Sequence, residues 1–140
     1  MELIKKFYEK AKSKKTTIVL PEAGIDERVI QATKDIVSLE IAKVILLGDE
    51  EEIKKLAEKC SLDLSIVTCI DPKKSPDIKK YGENYYELRK NKGMTHEKAM
   101  ETIIHPLYFG SMLVKEGIAH GLVAGSASPT ADVMKATLQI

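Results

Sequence analysis

Short apolar runs alternate along the chain with stretches in which apolar residues recur at helical spacing. Residues 16–20 and 42–47 are mostly aliphatic runs that end at a proline and a glycine, which is typical of strands. Residues 1–15 instead place apolar side chains on one helical face, with lysines opposite. The pattern predicts strands over 16–20, 42–47, 65–70 and 121–124, and helices over 1–15, 26–39, 49–60, 75–92, 95–104, 106–116 and 133–140.

The order of these elements predicts the fold class. Strands that alternate with helices form βαβ units, so we expect an α/β fold with a three-layer, doubly wound and mostly parallel sheet. The continuous apolar runs agree with this, because central parallel strands are buried on both faces. A length of 140 residues fits one domain and is too short for two ordinary ones.

Composition and charge argue against binding to nucleic acids or membranes and against secretion. The chain has 22 basic and 21 acidic side chains, and a net charge of +1 gives no long-range field for nucleic acid or an anionic membrane. It has no apolar stretch of membrane-helix length and no signal-peptide pattern. Cys60 and Cys69 form no paired motif, which is typical of small core residues in a reducing compartment. We therefore expect a soluble, cytoplasmic domain.

Two loops follow predicted strands, over 21–26 and 125–132. Ligands of open parallel sheets bind at the carboxyl ends of the strands. The second loop is small, rich in hydroxyls and opens a helix, so its backbone N–H groups with Ser126, Ser128 and Thr130 could bind an anion. Plain helix capping is the commoner role of such residues, and the residues alone favour it.

The chain has two arginines, Arg28 and Arg89. Arg89 lies near the end of a predicted helix, where it can complement the helix dipole or anchor a phosphate group, and the residues alone favour the first role. Arg28 suggests an ion pair, and Lys135 a solvated helix side chain. The three histidines share no metal-ligand spacing and no nucleophile motif occurs, so we expect no metal site. The residues alone do not specify a reaction.

A series of short motifs covers nearly the whole chain. They are Ile18-Val19-Leu20-Pro21-Glu22 with Asp26 and Arg28, residues 42–48, Tyr86-Glu87-Leu88-Arg89, Lys92-Gly93-Met94-Thr95, Tyr108-Phe109-Gly110, Met112-Leu113-Val114, Gly121-Leu122-Val123-Ala124-Gly125, Thr130-Ala131-Asp132 and Leu138-Gln139-Ile140. Each motif is weakly specific alone, but together, in order and spacing, they resemble the phosphate acetyl/butyryl transferase family.

The resemblance implies an architecture. Members of this family are usually homodimers of two-domain α/β subunits, with the active-site cleft between the domains. The first domain combines an N-terminal segment with a returning C-terminal segment, and the second domain is inserted between them. Residues 1–140 would then be the N-terminal segment of domain 1, and by itself we expect this segment to expose sheet edges and to self-associate.

The resemblance also implies a reaction, the transfer of an acetyl group between acetyl phosphate and coenzyme A by direct attack of the thiol. Coenzyme A is then a substrate, and no permanently bound cofactor or metal is expected. The family's catalytic groups match nothing in this segment, which we expect to be inactive alone. Arg89 and Lys135 match positions that bind substrate or coenzyme A phosphates. Ser128, Thr130 and Asp132 match the loop that faces the cleft.

Two departures from the family pattern leave alternatives open. Lys135-Ala136 stands where members commonly have Arg-Pro, and a lysine keeps the charge without the bidentate geometry of arginine. Ser128-Pro129 stands where a histidine often precedes the hydroxyl pair. The alternatives are a phosphate butyryltransferase, a non-catalytic remnant that binds coenzyme A or acyl phosphate, and a purely structural interaction domain.

Overall fold

The computed structural model describes all 140 residues, which form four strands and seven helices. The strands are β1 (Thr17–Leu20), β2 (Lys43–Leu47), β3 (Thr68–Ile70) and β4 (Gly121–Leu122). The helices are α1 (Glu2–Lys14), α2 (Glu27–Ser38), α3 (Glu50–Cys60), α4 (Ile78–Arg89), α5 (His96–Ile103), α6 (Pro106–Lys115) and α7 (Thr130–Gln139), with 3₁₀ turns at Leu64–Ile66 and Lys90–Lys92.

The strands form one parallel sheet in the order β3-β2-β1-β4. β1 pairs with β2 in a register that sets Val19 opposite Ile45, and with β4 in a register that sets Val19 opposite Leu122. The chain therefore moves outward from β1 through β2 to β3, and then returns to the other side of β1 as β4. The predicted α/β class and parallel, doubly wound sheet are confirmed.

The alternation of side chains along β1 and β2 builds two cores. Successive strand residues point to opposite faces of a sheet. Val19, Ile45 and Leu47 face α4, α5 and α6, and there they pack with Tyr81, Tyr85, Ala99, Ile103, Phe109, Met112, Leu113 and Ala119. Leu20, Val44 and Leu46 face α2 and α3, and there they pack with Ala23, Ile30, Ile53, Ala57, Cys60 and Leu62. The sheet is thus the middle layer of three.

Local capping sets where several helices begin. Asp26 caps α2 by accepting a hydrogen bond from the backbone N–H of Arg28, and Asp49 caps α3 by accepting from Glu51 and Glu52. A proline at the first position starts α6 directly after His105. These starts agree with the sequence, because Asp before an amphipathic stretch and Pro at the first helical position are strong local signals.

Other boundaries differ from the prediction. The expected strand over 65–70 begins only at Thr68, because the Asp63 carboxylate accepts the backbone N–H of Ser65 and turns the chain into a 3₁₀ turn first. The helix expected over 75–92 begins at Ile78 and passes into a 3₁₀ turn after Arg89. The last helix begins at Thr130, three residues before the predicted start.

Several apolar surfaces are exposed. α1 is amphipathic as predicted, yet it has no buried residue, and Leu3 and Phe7 are 62% and 59% exposed. β4 is an edge strand, and an apolar groove is lined by α2, β1 and the residues that follow β4. None of the helices has both the length and the apolar character needed to cross a membrane. The expected exposure of a sheet edge and apolar faces is observed.

Gly110 lets α6 lie close to the sheet. A Cβ atom at this position would lie 2.8 Å from Leu122 Cδ1 and 3.2 Å from both Leu47 Cδ1 and Val19 Cγ1. These three side chains come from three neighbouring strands, so they cannot all move aside without disturbing the core. The contact fixes the distance between α6 and the ends of β1, β2 and β4.

We expect Gly110→Ala to lower the free energy of unfolding by about 1–3 kcal/mol, the usual cost of overpacking a core. Urea unfolding followed by circular dichroism measures the change. Gln31→Ala, on the exposed side of α2, is the control and should change stability by less than about 0.5 kcal/mol. A Gly110→Ala variant as stable as the control would show that α6 does not pack this closely.

Candidate functional site

The carboxyl ends of β1 and β4 meet at the point where the direction of the strand order reverses. β1 lies between β2 and β4, so the loops after β1 and β4 face each other at one edge of the sheet. In doubly wound sheets, ligands bind in the crevice at this switch point. The two loops are the ones that the sequence predicts as functional, over 21–26 and 125–132.

The crevice is filled by a side chain of the protein itself. The carboxylate of Glu22, which is 2% exposed, accepts hydrogen bonds from four successive backbone N–H groups. Oε1 accepts from Gly125 and Ser126 at 2.7 and 3.2 Å, and Oε2 accepts from Ala127 and Ser128 at 2.7 and 2.6 Å. The loop binds an anion with its backbone, which is the role that the residues alone did not favour, and the anion is Glu22.

This arrangement keeps Glu22 ionised. Burial alone would raise the pKa of its carboxyl group, but the hydrogen bonds from Ala127, Gly125 and Ser128 together outweigh burial and lower the pKa below its usual value. Hydrogen bonds to the charged form favour that form, and a buried carboxylate is stable only when its oxygens are paired. The negative charge of Glu22 is therefore a permanent part of the loop.

A second contact joins the same loop to the start of α2. The guanidinium of Arg28 donates to both carboxylate oxygens of Asp26, at 3.1 and 2.9 Å, and to the carbonyl oxygen of Ser126 at 2.5 Å. The hydrogen bond from Arg28, followed by one from the Ser126 hydroxyl, lowers the pKa of Asp26 to about 2. The expected ion pair of Arg28 is present, and its guanidinium uses Nε and Nη2 for contacts within the chain.

The other arginine is free of such pairing. Arg89 is the last residue of α4 and is half-buried, yet it makes no ion pair or side-chain hydrogen bond within the chain. Burial raises the pKa of Tyr108, the Asp132 carboxylate raises it further, and the charge of Arg89 opposes this. The charges of Arg89 and Asp132 thus act in opposite directions on one tyrosine of α6.

The remaining predicted residues lie along α7. Lys135 is exposed, one turn after Asp132, and has no ion pair within the chain. Thr130 is the exposed first residue of this helix, and no side chain caps the helix start, so the capping role considered for the loop hydroxyls is absent here. Asp132 and Lys135 occupy positions three apart, which share a helix face.

A separate cleft of about 250 Å³ opens beside the loop, at the ends of β1, β2 and β3. Of the predicted site residues it includes only Ser128. Its ionisable lining consists of Glu22, Asp49, Glu52, Asp71, Lys73 and His105. Four carboxyl groups against one lysine and one histidine repel a phosphate group, so this cleft is a poorer phosphate site than the surface around Arg89.

The chain offers no cluster of three or more His, Cys, Asp or Glu side chains that could hold a metal ion. Cys60 is buried in the core beneath α3 and Cys69 is exposed, and both are unpaired. The expectation that both cysteines are core residues thus holds for Cys60 and is wrong for Cys69.

Comparison with known proteins identifies the family. The family model described as phosphate acetyl/butaryl transferase matches residues 2–140, nearly the whole chain. The chain belongs to the phosphate acetyl/butaryl transferase family. A relative named phosphate acetyltransferase, from Thermoanaerobacterium thermosaccharolyticum, is 49% identical over all 140 residues, and these cover 42% of that relative.

Solved structures of the phosphate acetyl/butaryl transferase family have the same fold. The chain superposes on a phosphotransacetylase from Streptococcus pyogenes with a TM-score of 0.91 and 37% identity, and on the EutD phosphotransacetylase from Staphylococcus aureus with a TM-score of 0.87 and 38% identity. In both cases 99% of this chain covers 42% of the other chain. The chain therefore spans less than half the length of the relatives that it matches.

The role of Glu22 was not predicted from the sequence, although Glu22 belongs to one of the motifs named above. Glu22 lies two positions after the last residue of an apolar strand, where an acidic residue needs buried partners or solvent. Its partners lie more than a hundred positions away in the sequence, at 125–128. The order of the strands, which was not predicted, is what places the ends of β1 and β4 side by side.

The lowered pKa values of Asp26 and Glu22 predict acid sensitivity. Each folded pKa lies below its unfolded value, so the stability from these groups is present above about pH 4.5 and is lost as the pH falls towards 2. We expect thermal unfolding scans to show a steep fall of the midpoint across this window.

The control is Asp26→Asn, because asparagine still caps a helix start but cannot ionise. This variant should be less stable than the wild type at pH 7 and should show a shallower fall between pH 4.5 and 2. Parallel profiles for the two proteins would contradict the ionic role of Asp26.

Proposed function

We propose that the protein to which this chain contributes is a phosphate acetyltransferase, which transfers an acetyl group between acetyl phosphate and coenzyme A. The observation that carries the proposal is the match of the whole chain to this family at up to 49% identity with a relative of that name. We propose acetyl as the acyl group because relatives that match the whole chain at 39–49% identity are named phosphate acetyltransferase. Coenzyme A is a substrate here, and we propose no metal and no permanently bound cofactor.

The proposed reaction defines what the protein must supply. The coenzyme A thiol loses its proton and its sulfur attacks the acetyl carbonyl carbon. A C–S bond forms, the bond between that carbon and the bridging oxygen of acetyl phosphate breaks, and inorganic phosphate leaves. Two phosphorylated substrates must be held together, so cations are needed at their phosphate groups. We assign this binding task, and no proton transfer, to residues 1–140.

We assign phosphate binding to Arg89 first. Its guanidinium has no intrachain partner, whereas that of Arg28 is taken up by Asp26 and Ser126. Arginine can bind a phosphate group through two parallel hydrogen bonds. Lys135 is the second proposed cation, and as a lysine it supplies a point charge only. We propose that Ser128, Thr130 and Asp132 belong to the loop and helix start that face the active-site cleft between the two domains.

We also propose that the working protein has further parts. The relatives are more than twice as long as this chain, and the exposed edge of β4 and the exposed apolar face of α1 leave surface for another domain or subunit. A homodimer of two-domain subunits in the cytoplasm is the proposed assembly. Two unpaired cysteines are compatible with a reducing compartment.

We expect Arg89→Ala to raise the KM for coenzyme A or acetyl phosphate by about tenfold or more, because a hydrogen bond to a charged group contributes about 1.5–3 kcal/mol. Arg89→Lys should recover part of the loss. Steady-state assays of acetyl-CoA formation, in the protein as its gene encodes it, measure both constants. Lys90→Ala is the matched control, since Lys90 is an exposed neighbour that pairs with Glu87. Unchanged KM values for both substrates in Arg89→Ala would exclude the assignment.

We expect Lys135→Ala to raise the same KM values less than Arg89→Ala does, by about two- to tenfold, because an exposed point charge is screened by solvent. Raising the salt concentration should reduce the difference between Lys135→Ala and wild type. A protein that binds coenzyme A but forms no acetyl-CoA would instead favour the non-catalytic binding function.

A further inference from the structure

Residues 125–129, which join β4 to α7, depend on few contacts for their position. Four of these five residues are exposed, so packing does not anchor them. Outside the segment, residues 125–128 hydrogen-bond only to Glu22, Asp26 and Arg28. Glu22 accepts four of these hydrogen bonds, so it supplies most of the directional contacts of the segment.

The helix that follows is fixed mainly at its other end. Ala136 is the only buried residue of α7. Near the C-terminal end of this helix, the hydroxyl of Tyr85 donates to Gln139 Oε1 at 2.6 Å, and Lys115 donates to the carbonyl oxygen of Ile140 at 3.1 Å. The first turns of α7 therefore depend on residues 125–129 for their position, and through them on Glu22.

We propose that Glu22 is a positioning residue, whose carboxylate holds residues 125–128 and thereby sets the position from which α7 presents Lys135 to a substrate phosphate. The proposal rests on the proposed function for the identity of the substrates. Glu22 itself does not touch substrate, because its two oxygens are already occupied by backbone N–H groups. The backbone of the switch-point loop is likewise closed to an external phosphate, which leaves phosphate binding to side chains.

The chemistry of the contact explains why a carboxylate is required. Each oxygen of Glu22 accepts two N–H groups. Glutamine has one acceptor oxygen, so its amide N–H₂ would face two of the four donors and leave them unpaired. Alanine would leave all four unpaired, and the missing group is small enough for a formate ion to replace. Adding formate to Glu22→Ala therefore shows whether a carboxylate that is not attached to the chain can restore the function of the side chain.

The test compares wild type, Glu22→Ala and Glu22→Gln in the protein as its gene encodes it. We expect Glu22→Ala to raise the KM for coenzyme A or acetyl phosphate by about two- to tenfold, and no more than Lys135→Ala does, because a misplaced point charge contributes less than a well-placed one. Sodium formate should reverse at least half of this rise, and sodium chloride at equal ionic strength should not. Glu22→Gln should show a smaller rise without rescue. Glu58→Ala, an exposed acidic position on α3, is the control and should show neither effect.

Hydrogen exchange at the amides of residues 125–128 separates this proposal from the proposed function. Protection should fall in Glu22→Ala and return with formate, even if the wild-type protein has no acetyl transfer activity. If the wild-type protein has no acetyl transfer activity, the proposed function is refuted. If the amides of residues 125–128 are as protected in Glu22→Ala as in the wild type, the role of Glu22 is refuted. Folded Glu22 variants with wild-type KM values would overturn the proposal. Failure of both variants to fold would also overturn it, since Glu22 would then act on folding alone.

Discussion

The pairing of the Glu22 carboxylate with four backbone N–H groups is the contact on which the candidate site depends. An ionised carboxylate that is 2% exposed is strongly unfavourable unless its oxygens are hydrogen-bonded. Backbone N–H groups in an exposed loop have water as an alternative, but a buried carboxylate does not. The cost of leaving Glu22 unpaired therefore selects the one loop conformation in which residues 125–128 all point at it. The start of α7 follows from that conformation.

The parallel sheet makes this pairing possible. Because β1 and β4 are adjacent and parallel, their carboxyl ends lie side by side, and the loops that leave them meet. The alternation of Val19 and Leu20 across the two faces of β1 fixes the helix layers on either side. Gly110 then allows α6, which carries Tyr108, to lie close to the sheet. Arg89 ends α4, and α4 packs through Tyr81 and Tyr85 on the same face of β1 as α6.

Local signals in the sequence were sufficient for most of this fold. Asp26, Asp49 and Pro106 mark helix starts that the structure retains, because capping depends on residues only two or three positions apart. The start of β3 was predicted too early, since a local contact of Asp63 competes with strand pairing. The role of Glu22 could not be derived from local patterns. It depends on partners about a hundred residues away. The sequence of residues 125–128 also does not show whether their backbone N–H groups bind an external anion or a side chain of the protein itself.

The distribution of charge decides which surface can bind phosphate. The switch-point loop has the donors that an anion needs, but Glu22 already uses them, and the neighbouring cleft adds the carboxyl groups of Asp49, Glu52 and Asp71. A phosphate group would meet net negative charge in that cleft. Arg28 is paired with Asp26, so Arg89 is the arginine whose guanidinium has no partner within the chain. The internal carboxylate of Glu22 thus removes the backbone anion site at the ends of β1 and β4 from competition for external anions.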